Sequence, residues 1–296
     1  MLRLPRITGA RLPAACTAIV AMLLIAPVPR VAAETAMPVA FLPHQVQYAL
    51  SLKSTRNNVS VNNASGRILY NFTGNACDGY SSEFRQLSEL DAGENRTIVS
   101  DLRSANWESG DGKSFRFTIQ TQTNGEEPSV VDGNAERAGE RIKVQLKKPA
   151  AKTLMLDGDV VFPTDQVKRI IAAARAGKSV LELKVYDGSD TGEKVYHTFT
   201  VIGQPMDAAR ATHASDIALG EGALKTVRRW PVTVSYYDKS AGSGKGEETP
   251  VYAMSFELYE NGVSRALVID YNDFVISGMM SSFEAKDVKR AKPCKP

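Results

Sequence analysis

The sequence predicts a mainly β protein: a large antiparallel spiral or broken β-barrel of about 12–14 strands, with one or two helices packed on the sheet. Three observations lead to this prediction. Hydrophobic and polar residues alternate in many short runs, turn residues separate the runs, and only one segment has a clear helical period. So many amphipathic strands cannot form a flat open sheet, because sheets twist and unpaired edges are a liability. We therefore expect a curled sheet.

The alternating runs extend over most of the chain. Residues 115–120, Phe-Arg-Phe-Thr-Ile-Gln, show the two-residue period of a half-buried strand most clearly. Asn124-Gly125 and Asn261-Gly262 are typical of tight hairpins, because both residue types tolerate a positive φ angle. The other predicted strands lie around residues 46–52, 68–72, 142–146, 181–185, 195–201, 232–236, 254–258 and 267–269.

One helix is predicted between Pro163 and Gly177, with Thr164 as its N-cap. Hydrophobic residues at the helical spacing form one face, which we expect to pack on the sheet: Val167, Ile170, Ile171 and Ala174. A second, shorter helix is expected between Asp207 and Arg229, and residues 238–248 have the composition of a mobile loop.

Residues 1–33 have the order of a secretory signal peptide. Three arginines precede an apolar run at 14–28, and Val31-Ala32-Ala33 offers small residues for cleavage. The run is shorter than the roughly 20 residues that a membrane-spanning helix needs. A retained membrane anchor is the alternative. We expect cleavage near Glu34, leaving residues 34–296 as a single β-spiral domain without a transmembrane segment, with its C-terminal tail tied back by a disulfide.

The basic character of the chain belongs to this leader. The 296 residues include 36 Lys and Arg and 33 Asp and Glu, and four of the arginines lie in residues 1–33. The remaining chain has 32 basic and 33 acidic residues, a net charge near −1. Nucleic-acid binding needs a positive field to offset phosphate charge, so nucleic acid is not an expected partner.

Two cysteines, Cys77 and Cys294, remain after removal of the leader. An exported chain enters an oxidising compartment, where two thiols most simply pair with each other. A bond across 217 residues would constrain nearly the whole mature chain, for which loop entropy predicts a stabilisation near ~5 kcal/mol. The alternative is an exposed reactive thiol. Zinc is a weaker hypothesis, because closed zinc sites need four ligands.

No catalytic, cofactor-binding or metal-binding site is predicted. His197 is expected on the core face of its strand, beside Val195 and Phe199, and not as a base. Glu108 and Asp111 flank a turn next to Trp107, and a carboxylate pair could hydrolyse a glycoside if the two groups faced each other across a cleft. Residues 187–193 are acidic but lack the spacing of a calcium loop, so a solvated turn is expected.

A series of short sequences in a fixed order resembles the bacterial cell-envelope-integrity family called EipB. They are 48–52 (YALSL), 64–70 (ASGRILY), 77–80 (CDGY), 107–108 (WE), 111–117 (DGKSFRF), 161–164 (VFPT), 185–189 (VYDGS), 273–274 (DF) and the terminal Cys294. Each is weak alone, but together they span nearly the whole mature chain. The resemblance implies a periplasmic protein of Gram-negative bacteria with a spiral, broken-barrel β fold. It also implies a disulfide between Cys77 and Cys294.

These observations lead to a functional hypothesis. The expected protein is a non-enzymatic periplasmic factor that helps to maintain cell-envelope integrity, without a cofactor. It would bind a lipid, a peptide or a protein partner in or on its curved sheet, because a curled sheet of this size can leave an apolar concavity. The alternative is a hydrolase that acts on an envelope polymer.

Overall fold

The structure is a computed structural model that describes residues 38–56, 61–93, 96–157, 159–206, 217, 221–239 and 249–286. These residues contain fifteen β-strands and one α-helix, α1 (Pro163–Arg175). The strands are β1 (His44–Thr55), β2 (Asn63–Asn75), β3 (Gly79–Asp91), β4 (Thr97–Glu108), β5 (Ser114–Thr123), β6 (Ser129–Ala138), β7 (Arg141–Lys148), β8 (Lys152–Asp157), β9 (Val160–Val161), β10 (Val180–Val185), β11 (Tyr196–Ile202), β12 (Arg229–Tyr237), β13 (Tyr252–Tyr259), β14 (Ser264–Asp270) and β15 (Phe274–Ala285).

All fifteen strands belong to one sheet. Its order is β8 through β1, in decreasing number, then β15 through β9, and among the described strands only the β9–β10 pair is parallel. The two outermost strands, β8 and β9, are nevertheless consecutive in the chain, because only two residues separate Asp157 from Val160. Three Cα–Cα steps span at most about 11 Å. The sheet must therefore curl until its edges approach each other, which confirms the predicted broken barrel.

Side chains bridge the seam, which we define as the gap between β8 and β9. Arg137 on β6 donates a hydrogen bond to the carbonyl oxygen of Val160, and its guanidinium lies over the ring of Phe162. Lys152, at the start of β8, forms an ion pair with Glu193 in the β10–β11 connection. The barrel is thus closed at the seam by side-chain contacts.

The alternating runs are confirmed as strands, and the predicted hairpin residues adopt the expected conformation. Asn124 and Gly125 have φ angles of 51° and 75° between β5 and β6, and Gly262 has a φ angle of 85° between β13 and β14. The strand count exceeds the prediction by one. Sequence alternation did not reveal β3, β4, β6, β8, β9 or β15. On β3 and β4, serine and glutamine share the inward face with hydrophobic residues, for example at Ser82 and Gln86.

The predicted helix is confirmed, but its predicted cap is wrong. The N-cap position is Phe162, which makes no side-chain capping bond, and Pro163 occupies the first turn. Thr164 lies inside that turn, where its N–H donates to the carboxylate of Glu108. Gly177 follows the helix with a φ angle of 69°, as a C-terminal glycine should.

Parts of two further predictions lie outside the described residues. Of the segment predicted as a second helix, only residue 217 and residues 221–229 are described, and 222–226 form turns before β12 begins. Of the predicted loop, the structure describes residues 238 and 239 but not 240–248.

Three hydrophobic clusters fill parts of the barrel. One packs α1 against β12 and β13 through Ile170, Ile171 and Trp230. The second joins β5, β6 and β7 to Phe162 and Tyr186, across the seam. The third lines β1, β2, β14 and β15.

A buried ion triad connects β12, β13 and β14. Arg229 and Arg265 each donate from Nε to the Oε2 atom of Glu257, at 2.6 and 2.8 Å. Both arginine side chains are fully buried. Burial opposes ionisation of Glu257, but the hydrogen bonds from the two arginines hold its pKa below the usual value. The triad therefore remains ionised in the folded protein.

Candidate functional site

The helix α1 lies across one end of the barrel interior. Near its N-terminus, Lys168 Nζ donates to the carbonyl oxygen of Gly110 in the β4–β5 turn, at 2.9 Å. Near its C-terminus, Arg175 Nε donates to Glu260 between β13 and β14, at 2.7 Å. Thirteen residues of helix are about 20 Å long, so α1 reaches from one wall to the other. We call this the helix end, and the opposite end, with the β1–β2, β3–β4 and β14–β15 connections, the open end.

Glu108, at the end of β4, caps the helix from the wall. Its two carboxylate oxygens accept hydrogen bonds from the backbone N–H groups of Thr164 (2.7 Å) and Asp165 (3.0 Å). The side chain is almost fully buried, and burial raises its pKa to about 7 despite these bonds and the nearby charge of Lys168. A carboxylate on the wall thus satisfies N–H groups that a helix leaves unpaired at its N-terminus.

Aromatic rings pack around a small cavity beside the helix. The ring of Phe41 meets those of Phe72 and Tyr80 edge-on, with centroids 5.4 and 5.3 Å apart. His44 stacks on Phe283 at 5.8 Å and is buried, which lowers its pKa. The cavity has a volume of about 110 Å³ and is bordered by Phe41, His44 and Phe72 and by the first turn of α1. The helix end is therefore nearly filled.

The open end is filled less completely. Inward-facing hydrophobic side chains there border the third cluster but keep part of their surface accessible: Leu52, Leu90, Met254, Tyr271 and Phe274. By contrast, Ile170, Ile171 and Trp230 under the helix are at most 2% exposed. Apolar surface that stays accessible inside a barrel is typical of a ligand-binding concavity.

Polar groups also point into the interior. Gln166 on α1 is only 6% exposed, and its Nε2 atom has no hydrogen-bond partner among the described residues. Tyr236 stacks on Tyr252 with centroids 4.6 Å apart, and Tyr196 meets Tyr236 edge-on. Burial, with the nearby charge of Asp187, raises the pKa of Tyr236 to about 12. These groups offer a ligand hydrogen bonds within a largely apolar surface.

Of the two cysteines predicted to pair, the structure describes one. Cys77 is exposed in the turn between β2 and β3, where its N–H donates to Asn75 Oδ1 at 2.8 Å. Cys294 lies outside the described residues, and so do residues 1–33 with the predicted signal peptide. The disulfide therefore stays a prediction.

The two carboxylates considered for glycoside hydrolysis have different roles. Glu108 faces the interior and caps α1, whereas Asp111 is exposed and accepts a hydrogen bond from Ser109 Oγ at 2.7 Å. They do not form a facing pair across a cleft. Within the described ranges, no group of three or more His, Cys, Asp or Glu side chains has a metal-binding arrangement.

The predicted orientation of His197 is wrong. Tyr196, Thr198, Thr200 and Ile202 form the buried face of β11, whereas His197, Phe199 and Val201 face outwards, with Phe199 37% and Val201 46% exposed. Val195 precedes the strand. Both faces of β11 carry hydrophobic residues, so alternation defines the period of the strand but not its buried side.

Sequence reasoning missed the interior site residues, above all Glu108 as a helix cap and Gln166. The sequence does indicate the interior tyrosines, because each lies within or next to a predicted strand: Tyr196, Tyr236 and Tyr252. No local pattern reveals the Glu108 contact, since 56 positions separate it from Thr164.

Comparisons with known proteins agree with this architecture. Among the described residues, no helix is long and apolar enough to cross a membrane. The chain is 31% identical over 261 residues to the cell envelope integrity protein EipB of Brucella abortus (strain 2308), over 88% of this chain and 90% of that protein. It is similar to the crystal structure of a beta-barrel-like protein of domain of unknown function DUF1849 from Brucella abortus. That match has a TM-score of 0.75 and 30% identity, and it covers 84% of this chain and 100% of the other. Residues 35–287 match the family model described as EipB-like, and the chain therefore belongs to the EipB-like family.

Proposed function

We propose that this protein is a non-enzymatic periplasmic factor that helps to maintain cell-envelope integrity by binding an apolar ligand in the open end of its barrel. The family membership supports the envelope role, because a relative that covers most of the chain is named for it. The observation that carries the binding role is the uneven filling of the interior. Packed side chains fill the helix end, whereas apolar surface stays accessible at the open end.

A lipid acyl chain or an extended hydrophobic peptide segment fits this surface best. Both are long and apolar, and both would present a polar group that could bond to Gln166 or to the tyrosines around Tyr236. Hydrolysis is the weaker hypothesis, because Glu108, one of its two candidate groups, is occupied by the N–H groups of α1.

Two leucines on β3 allow a matched test. Leu90 faces the interior at the open end, and Leu87, also partly exposed, faces outwards. We expect Leu90→Glu to abolish saturable uptake of a fluorescent fatty acid, because it places a charge on the apolar surface. Leu87→Glu should retain uptake. Equal uptake by both variants, or no uptake by the unmodified protein, would contradict the ligand-binding role.

The envelope role and the location need their own tests. A deletion strain should become sensitive to detergent and to cell-wall antibiotics, and the unmodified gene and Leu87→Glu should restore resistance. Cell fractionation and N-terminal sequencing should find the mature chain in the periplasm, beginning near Glu34. Normal envelope resistance in the deletion strain would contradict the envelope role, whatever the outcome of the binding assay.

A further inference from the structure

The outer surface of the barrel wall carries a long trough lined by charged, polar and apolar residues. Two adjoining grooves of about 460 and 590 Å³ form it, and they share Glu83, Ala105 and Thr118. The first groove begins at Gln45 on β1, and the second ends at Lys147 on β7. Six strand spacings of ~4.8 Å give a length of roughly 29 Å along the sheet. We call this surface the outer trough.

A tryptophan and an arginine form its central feature. Trp107 and Arg116 are directly opposite each other on β4 and β5, and Arg116 Cζ lies 4.9 Å from the centroid of the indole ring. The ring also lies against Gly79, where an added Cβ would come within 2.8 Å of it. Trp107 is thus held in position while part of its surface remains accessible. Arg116 forms no ion pair with any carboxylate of the described residues.

The trough has an excess of positive charge. Its lining includes Arg85, Arg103, Arg116 and Lys147, against the acidic residues Glu83 and Asp132. Asp101 pairs with both Arg85 and Arg103, at 2.8 and 2.7 Å, and so neutralises only one of them. The contact of Lys147 with Asp132 is long, at 3.5 Å, and Lys147 is 72% exposed. Cationic hydrogen-bond donors therefore remain available to a ligand.

We propose that the outer trough binds an acidic glycan strand, a chain of pyranose rings that carries carboxylate groups. Sugar rings present C–H faces that pack against an indole, and planar guanidinium groups pair well with carboxylates and hydroxyls. The trough crosses seven strands and is open to solvent along its length, which suits the middle of a polymer better than a small ligand. Among envelope polymers, the glycan strand of the cell wall has this chemistry where its stem peptides have been removed, because removal of the peptide frees a carboxylate on every second sugar. The interaction surface is separate from the interior, because Trp107 and Glu108 point to opposite faces of β4.

The tryptophan content makes the test direct. The chain has two tryptophans, and Trp230 is only 2% exposed, so acrylamide quenching of fluorescence reports chiefly on Trp107. Titration of the mature protein with soluble glycan strands, prepared from cell wall by removing the peptides, should protect Trp107 from quenching in a saturable way. Rising salt should weaken this binding, because charge pairing contributes to it.

Variants locate the interaction. In isothermal titration calorimetry with the same peptide-free glycan strands, Trp107→Ala should reduce affinity at least about tenfold, as is common for an aromatic anchor that becomes buried in a complex. Arg116→Gln should reduce both the affinity and its dependence on salt, and Lys147→Gln should do so to a smaller extent. Lys143→Gln is the matched control, since Lys143 is exposed on the same strand but does not line the trough. If Trp107→Ala fails to fold, Arg116→Gln and Lys147→Gln decide the outcome.

Three outcomes would overturn the proposal. One is the absence of saturable binding to the glycan strands. Another is unchanged binding in both Trp107→Ala and Arg116→Gln. The third is binding to vesicles that contain lipopolysaccharide but not to the peptide-free glycan strands, which would mean that the trough binds the membrane surface instead of the cell wall. Neutral dextran should not bind in any case, and uptake of fatty acid in the interior should be unaffected by Arg116→Gln.

Discussion

Replacement of Glu108 by glutamine should change how the stability of the protein depends on pH. Burial raises the pKa of Glu108 to about 7 from an ordinary value of 4.5. Between these pH values the folded protein keeps the proton and the unfolded chain loses it, so the free energy of unfolding falls as pH rises. A difference of this size corresponds to about 3 kcal/mol, most of it lost between pH 4.5 and 7. Glu108→Gln, neutral in both states, removes this dependence.

Urea denaturation, followed by fluorescence at pH values from 4.5 to 8, measures the effect. We expect the stability of the unmodified protein, relative to Glu108→Gln, to decrease by about 3 kcal/mol across this range. His44 acts in the opposite direction, because its lowered pKa makes the folded state lose stability as pH falls. Its contribution is common to both proteins and cancels in the difference. A difference that stays constant within about 1 kcal/mol would refute the reasoning, and would mean that the helix N–H groups keep Glu108 ionised.

Three further changes test covalent, ionic and steric features of the fold. Under oxidising conditions Cys77→Ser or Cys294→Ser should lower the melting temperature, and an unchanged value would argue against the predicted disulfide. Glu257→Gln should lower the free energy of unfolding by about 3 kcal/mol or more in unfolding titrations, because it removes the negative charge that two fully buried arginines contact. Gly188→Ala should destabilise more than Gly125→Ala: both have positive φ angles, but only at Gly188 would a Cβ meet an aromatic ring, at 2.4 Å. Equal losses would contradict the steric argument.

The fold was largely predictable because its commonest signal is local. Strands such as β5 and β7 pack one face on a dense cluster, so their sequences alternate visibly. β3 and β4 line a less completely filled part of the interior, where Ser88 and Ser100 face inwards as directly paired residues. Such a face need not be apolar, and the sequence signal is correspondingly weak. The strands of a wide barrel are therefore hardest to predict from the sequence where the interior is least filled.

The candidate sites were less predictable, because they depend on long-range contacts. The sequence suggests a carboxylate pair of Glu108 with Asp111, three residues along the chain, whereas in the structure Glu108 accepts hydrogen bonds from the first turn of α1. Trp107 and Arg116 meet through the register of β4 and β5, which the turn between them determines. Neither contact has a sequence spacing that a local motif could reveal.

The seam should be the first part of the wall to open. β8 has one hydrogen-bonded neighbour in the sheet, β7, which itself is paired on both sides. Across the seam, Lys152 and Glu193 are exposed, and exposed ion pairs contribute at most about 1 kcal/mol. Backbone N–H groups of β8 that point towards the seam should therefore exchange with deuterium at least about tenfold faster than those of β7. Arg137→Gln, which removes the hydrogen bond to Val160, should increase this difference. Equal protection of β7 and β8 would mean that β8 has a second hydrogen-bonded neighbour, and the barrel would then be closed by backbone pairing instead of by side chains.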